Sequence, residues 1–116
     1  DVGVSDGEVF YGHDGPQYKG TILDLDKRCW LHCKNLEALR FFSGLDMNET
    51  HAFWHDVDDY ALTNKKYIWT NIGRDLSNRS IMFMPEVQDE TLKNTIDVNC
   101  SGICSDWVQK IKVMRT

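Results

Sequence analysis

Three groups of residues in this 116-residue chain could do chemistry. His51, His55 and Asp59 recur every four residues, so on a helix they would share one face. Two imidazoles and a carboxylate on such a face could hold a zinc ion with an open position. The spacing lacks the internal Glu of the hydrolase signature H-E-x-x-H, and a polar stripe opposite an apolar one needs no ligand. The expectation is therefore no metal and no cofactor. A metal-assisted hydrolase built on these three residues is the alternative function.

The second group is Tyr11, His13, Asp14 and Tyr18, where two aromatic rings flank an ionisable pair in a segment punctuated by Gly12, Gly15 and Pro16. A loop that carries rings and charges into solvent suits ligand contact. His can act as a general base beside a carboxylate, but no nucleophile accompanies this pair, so the loop reads as a binding surface without a catalytic role.

Cys29, Cys33, Cys100 and Cys104 form the third group, as two C-x-x-x-C pairs. Four thiolates at that spacing could bind zinc. The preferred reading is two disulfides joining one pair to the other. Each would close a loop of about 70 residues, worth about 4.4 kcal/mol in the chain-entropy model. Three N-x-S/T acceptors, at Asn48, Asn78 and Asn99, point the same way. With 7 Asn and 13 Ser or Thr in the chain, chance predicts about 0.8 such acceptors. Even cysteines and surplus acceptors together suggest a secreted or ectodomain glycoprotein.

Composition limits the partners. Thirteen Lys and Arg against eighteen Asp and Glu leave a net charge of −5, which disfavours nucleic acid. No apolar run approaches the ~20 residues of a membrane span, so no membrane insertion is expected. A content of 41% hydrophobic and 27% charged residues fits a folded domain. No linker or repeat divides the chain, and 1–116 reads as a single extracellular domain.

The elements that must position these residues read as follows. The glycine-rich stretch 1–20 is mostly turns around a short strand at 8–11. Residues 21–25 alternate as a second strand. A helix over 26–42 carries Cys29, Cys33, Leu36 and Leu39 on one stripe. A second helix begins at the cap Asp46 and carries Phe53, Trp54, Val57, Tyr60 and Ala61 on its apolar face until Asn64. Strands at 67–72 and 80–84, the latter stopped by Pro85, pair as a hairpin. Residues 86–94 read as a loop and 96–100 as a short strand, while 105–116 suits either a helix or a strand. The fold class is α+β, a small antiparallel sheet packed with two helices and stapled by disulfides.

Cys33-x-x-Leu36-Glu37-Ala38-Leu39, the second helix, and Tyr67-Ile68-Trp69-Thr70-Asn71-Ile72-Gly73-Arg74-Asp75 together resemble the layout of a C-type-lectin-like domain over residues 20–116. The chain has no cysteine in its last twelve residues and no Glu-Pro-Asn or Gln-Pro-Asp motif. The resemblance therefore implies a protein-binding rather than a sugar-binding member. The expected function is a binding module for a protein or glycan partner, with a structural or storage glycoprotein as a further alternative.

Overall fold

The computed structural model of the chain describes residues 1–26, 28–44, 50–93 and 98–115. They gather into two compact units, Asp1–Asp56 with Thr63–Lys65, and Val57–Leu62 with Lys66–Thr116. Small sheets and three helices give a mixed fold compatible with the α+β class.

The first unit opens on a three-stranded antiparallel sheet, β1 (Val2–Ser5), β2 (Glu8–Tyr11) and β3 (Tyr18–Gly20). Asp6 and Gly7 both have positive φ, 53° and 77°. That is the two-residue turn whose twist matches paired strands. It sets Val4 opposite Val9 and Val2 opposite Tyr11, so one face of the hairpin is apolar. Residues 22–24 form a 3₁₀ turn rather than the expected strand. Thr21 and Asp24 cap one another there: the Leu23 N–H donates to the Thr21 hydroxyl, and the Thr21 N–H to Asp24 Oδ2.

Two expected helices are corrected. Within 26–42, residues Trp30–His32 are a strand, β4, and the helix α1 begins only at Leu36 and runs Leu36–Gly44. Asn35 caps it. Its Oδ1 accepts from the Ala38 N–H at 2.9 Å, and its Nδ2 donates to the Val4 carbonyl at 2.9 Å. That second bond fastens the helix start to β1. The helix expected from Asp46 to Asn64 begins outside the described residues. Its described part holds two strands, β5 (His51–Phe53) and β6 (Tyr60–Leu62). The reason lies in Asn64. Its side chain accepts from the Ala52 N–H at 2.9 Å and its N–H donates to the Ala52 carbonyl at 3.1 Å. The backbone groups that a helix would satisfy within a turn are thus committed twelve residues away.

β5 pairs in parallel with β4, and Val2 bridges to Cys33. Alternation then puts Leu31 and Ala52 on the core side with Val2, Val4, Val9, Cys33, Ala38 and Phe42. The other ring-bearing positions, Trp30, His32, His51 and Phe53, share the opposite face of the pair.

The second unit is a four-stranded sheet in the order β6-β7-β8-β9, with β7 at Ile68–Thr70, β8 at Ser80–Phe83 and β9 at Gly102–Cys104. β7 and β8 fall where expected, but they run parallel instead of forming a hairpin. β8 and β9 are also parallel, and only β6 is antiparallel to its neighbour. The small antiparallel sheet of the sequence reading is therefore three small sheets, of which one is mixed. The short helix α2 (Pro85–Gln88) replaces the start of the expected loop, and α3 (Val108–Met114) resolves the undecided C-terminal segment as helical. The expected strand at 96–100 falls partly outside the described residues. Trp69, Ile81, Leu92 and Ile111 are among the buried apolar side chains of this unit. Among the described residues no helix is long and apolar enough to cross a membrane.

The disulfide staple is also corrected: Cys29, Cys33, Cys100 and Cys104 are all free thiols. Cys29 is exposed at the entry to β4, while Cys33 is fully buried among valines and leucine. There it behaves as a small apolar side chain, and burial pushes its thiol up to about 11. Cys104 is likewise raised by burial, and Cys100 donates to the Gly102 carbonyl. Four thiols should therefore alkylate in denaturant without reductant. In the native state Cys29 should react first and Cys33 last, because the thiolate is the attacking species. Mass spectra with no alkylation before reduction would restore the disulfides.

Candidate functional site

The tight turn at Asp6-Gly7 determines more than the hairpin. Its register places Asp1 beside Gly12, whose N–H donates to the Asp1 carbonyl at 3.2 Å. The loop between β2 and β3 is thereby delivered onto the Asp1 side chain. The Asp14 N–H donates to Asp1 Oδ2, and Asp14 has a positive φ of 60°, a conformation that Asp tolerates better than most residues.

A chain of charged groups follows. His13 Nδ1 lies 3.6 Å from Asp1 Oδ2, and His13 Nε2 lies 3.4 Å from Asp14 Oδ2. Lys34 Nζ lies 3.8 Å from Asp14 Oδ1. On the other side of Asp1, His32 Nδ1 is 3.5 Å from Oδ1. His32 Nε2 is 2.9 Å from the carbonyl of His55, so that nitrogen must donate. The Asp1 side chain is only 11% exposed, whereas that of His13 is 89% exposed. A sheltered carboxylate thus sits at the centre, with an exposed imidazole beside it. The His32 ring stacks on Phe53 at 5.0 Å. Burial, opposed in part by the bond to His55, holds its imidazole below the ordinary 6.5.

The two tyrosines of the loop have different roles. They are register partners across β2 and β3. Tyr11 lies over Gly20, where an added Cβ would meet its ring at 2.6 Å. Its hydroxyl donates to the Thr21 carbonyl at 2.8 Å, and burial followed by the Asp24 charge raises its pKa. Tyr11 is committed to the fold. Tyr18 is 67% exposed and presents its ring to solvent.

His51, His55 and Asp59 are not brought onto one helix face. His51 stacks on Trp30 at 4.2 Å and 6° across the β4–β5 pair. Burial and the Lys65 charge lower its pKa. His55 follows β5 and contributes its carbonyl to His32, whereas Asp59 precedes β6 in the second unit and pairs with Arg74 at 2.8 Å. Of the glycan acceptors, Asn78 lies exposed in the turn before β8, Asn99 lies exposed before Cys100, and Asn48 is outside the described residues. The Ser101 hydroxyl donates to the Asn78 carbonyl, joining the two acceptor segments.

Sequence reasoning named Tyr18, His13 and Asp14, which the structure leaves exposed, but did not name Asp1, His32 or Lys34, which lie against His13 and Asp14 or against Asp1. A signal existed for Asp1: a two-residue Asp-Gly turn fixes which residues face each other. None existed for His32, which arrives through a parallel pairing. Also missed was a 430 Å³ cleft in the second unit, lined by Ile72, Met82, Phe83 and Pro85 together with Arg74 and Gln88.

No protein family matches this chain, and neither does any curated protein or solved structure. The C-type-lectin-like layout also loses its second helix, since the described part of 46–64 holds β5 and β6.

Proposed function

We propose that the chain is a secreted or ectodomain glycoprotein, 1–116 acting as one extracellular binding module for a protein or glycan partner. Contact is made through the β2–β3 loop. The observation that carries this reading is the exposed Tyr18 ring at the start of β3, which follows the loop of the exposed His13 and Asp14, on a hairpin anchored by Tyr11 and Asp1. An aromatic ring held on a strand has little freedom left to lose on binding, and such residues dominate interface energetics. The imidazole partners support a binding role over a catalytic one. Among the described residues, the ion pairs and hydrogen bonds of His13 and His32 go to carboxylates and a carbonyl. With the thiols free, extracellular placement rests on the glycan acceptors alone.

The labelled chain, applied to arrays of glycans and of extracellular protein domains, should show a partner whose binding falls about 30-fold in Tyr18→Ala, the scale of an interface hot spot. Circular dichroism should show the fold unchanged. Equal binding by the variant would refute the loop assignment. Made in a secretory pathway, the protein should carry glycans on Asn78 and Asn99, each removed by substitution to Gln. Secretion without any mass shift on peptide N-glycosidase treatment would count against the extracellular reading.

A further inference from the structure

We propose that the cleft of the second unit binds a small monocarboxylate with an apolar body, and that Arg74 takes its carboxylate. Strand direction places this cleft. β7 and β8 run parallel, so both deliver their carboxyl ends to the same edge of the sheet. The segment leaving β7 supplies Asn71, Ile72 and Arg74 to the lining, and the segment leaving β8 supplies Pro85 and Gln88 of α2. Ligands of open sheets with parallel strands bind at that edge. A volume of 430 Å³ falls within the ~300–1,000 Å³ of small-molecule sites. The chain leaves β7 in a tight turn, in which the Arg74 N–H donates to the Asn71 carbonyl at 3.2 Å and Gly73 takes the required positive φ of 77°. A Cβ added at Gly73 would lie 3.5 Å from the Gln88 amide, so the Gln88 side chain lies against this turn.

The balance of donors and acceptors selects the ligand. Asn71 Oδ1 already accepts from the Ile72 N–H at 2.9 Å, and Asp89 Oδ1 accepts from the Thr91 N–H and hydroxyl. The donors are less committed. Arg74 is held through Nε, which donates to Asp59 Oδ1 at 2.8 Å. Its two terminal nitrogens, like Asn71 Nδ2, have no partner among the described residues. A guanidinium fixed at Nε still offers a carboxylate two N–H groups side by side. Ile72, Met82, Phe83 and Pro85 give an apolar body a surface on which to leave water. Charge then limits the anion. Arg74 and Asp89 both line the cleft, and Asp59 already shares the cation, so one negative charge is the most that the cleft favours. A phosphate monoester, at about −1.5 to −2, would meet two carboxylates with a single arginine.

The site lies in the second unit and does not rest on the reading of the β2–β3 loop. Phenylacetate, titrated into the isotope-labelled full chain, should bind with a Kd of about 1 mM or tighter and shift the amide NMR signals of Gly73, Arg74 and Gln88. Arg74→Gln should weaken binding at least about tenfold. Asp59→Asn breaks the same exposed ion pair but keeps the cation, so it should change binding by less than about threefold. That pair of variants separates loss of the charge from loss of the ion pair's support. Phenylacetamide, of similar shape without the charge, should bind at least about tenfold more weakly than phenylacetate, and phenyl phosphate no more tightly. The site would be overturned by no saturable shift, by shifts centred outside the cleft, or by phenylacetamide or phenyl phosphate outcompeting phenylacetate. Equal losses in Arg74→Gln and Asp59→Asn would overturn it as well.

Discussion

Phe42→Ala should lower the stability of the first unit by about 3–5 kcal/mol, the range for removing a buried phenylalanine. The ring is 1% exposed on α1 and meets Phe41 edge to face at 5.0 Å. It fills the core with Val2, Val4, Ala38 and Cys33. Leu31, Leu39 and Phe41 also border this core, and refilling the space would require them to leave their packed positions. A loss of that size is a large part of the ~5–15 kcal/mol by which a domain is stable, and Asn35 ties α1 to β1. Loosening the helix should therefore loosen the hairpin that carries Asp1 and the His13 loop. Urea unfolding should show the midpoint fall steeply, while Leu36→Ala, at an exposed position on the same helix, should move it little. Equal shifts in the two variants would mean that α1 does not seat Phe42 in a packed core.

How much of this was legible can be argued from particular residues. β2, β7 and β8 were found because their β-branched and aromatic side chains alternate between turn residues. The hairpin at Asp6-Gly7 was equally legible, yet the glycines around it made 1–20 look like turns. The second helix was misread because Phe53, Trp54, Val57 and Tyr60 match a helical period by count. Periodicity records which side chains are apolar, not where the backbone finds partners. Asn64 supplies those partners to Ala52 from twelve residues away, and no local pattern announces that. Parallel pairing was invisible for the same reason: β7 and β8 have the composition of hairpin strands, and only distant contacts set their direction.

The candidate site follows this division. His13 and Asp14 stood out because local composition puts them in an exposed loop. Asp1 could be reached through one turn of inference, from the hairpin register. His32 and Lys34 required the β4–β5 pairing and the Val2–Cys33 bridge, both consequences of tertiary structure. The cysteines misled in the opposite direction. Their even number suggested bridges, but Cys33 serves as core filling, a role that its spacing does not distinguish from pairing.

Glu86→Ala should cost the second unit about 1.5–3 kcal/mol, the scale of hydrogen bonds to a charged group. Glu86 is 7% exposed in α2, just after Met84, whose φ of 47° turns the chain sharply out of β8. Its Oε2 accepts from the Ser105 hydroxyl at 2.8 Å and its Oε1 from the Asp106 N–H at 2.9 Å. One carboxylate thereby joins α2 to the segment that leaves β9 and enters α3. Burial pushes this carboxyl up, but bonds from its own backbone, Ser105 and Asp106 outweigh that and hold it below its ordinary 4.5. The unfolded chain then binds the proton more readily than the folded one. The stabilisation is complete above the ordinary value and is lost as pH falls through the folded one. Glu86→Gln keeps the shape and removes the charge, so its deficit relative to the natural chain should be largest near neutrality and shrink in acid. Urea midpoints of the two proteins between about pH 7 and about pH 3 would show this convergence. A deficit that stays constant across that range would mean that the carboxylate charge does not hold α2 to the approach of α3.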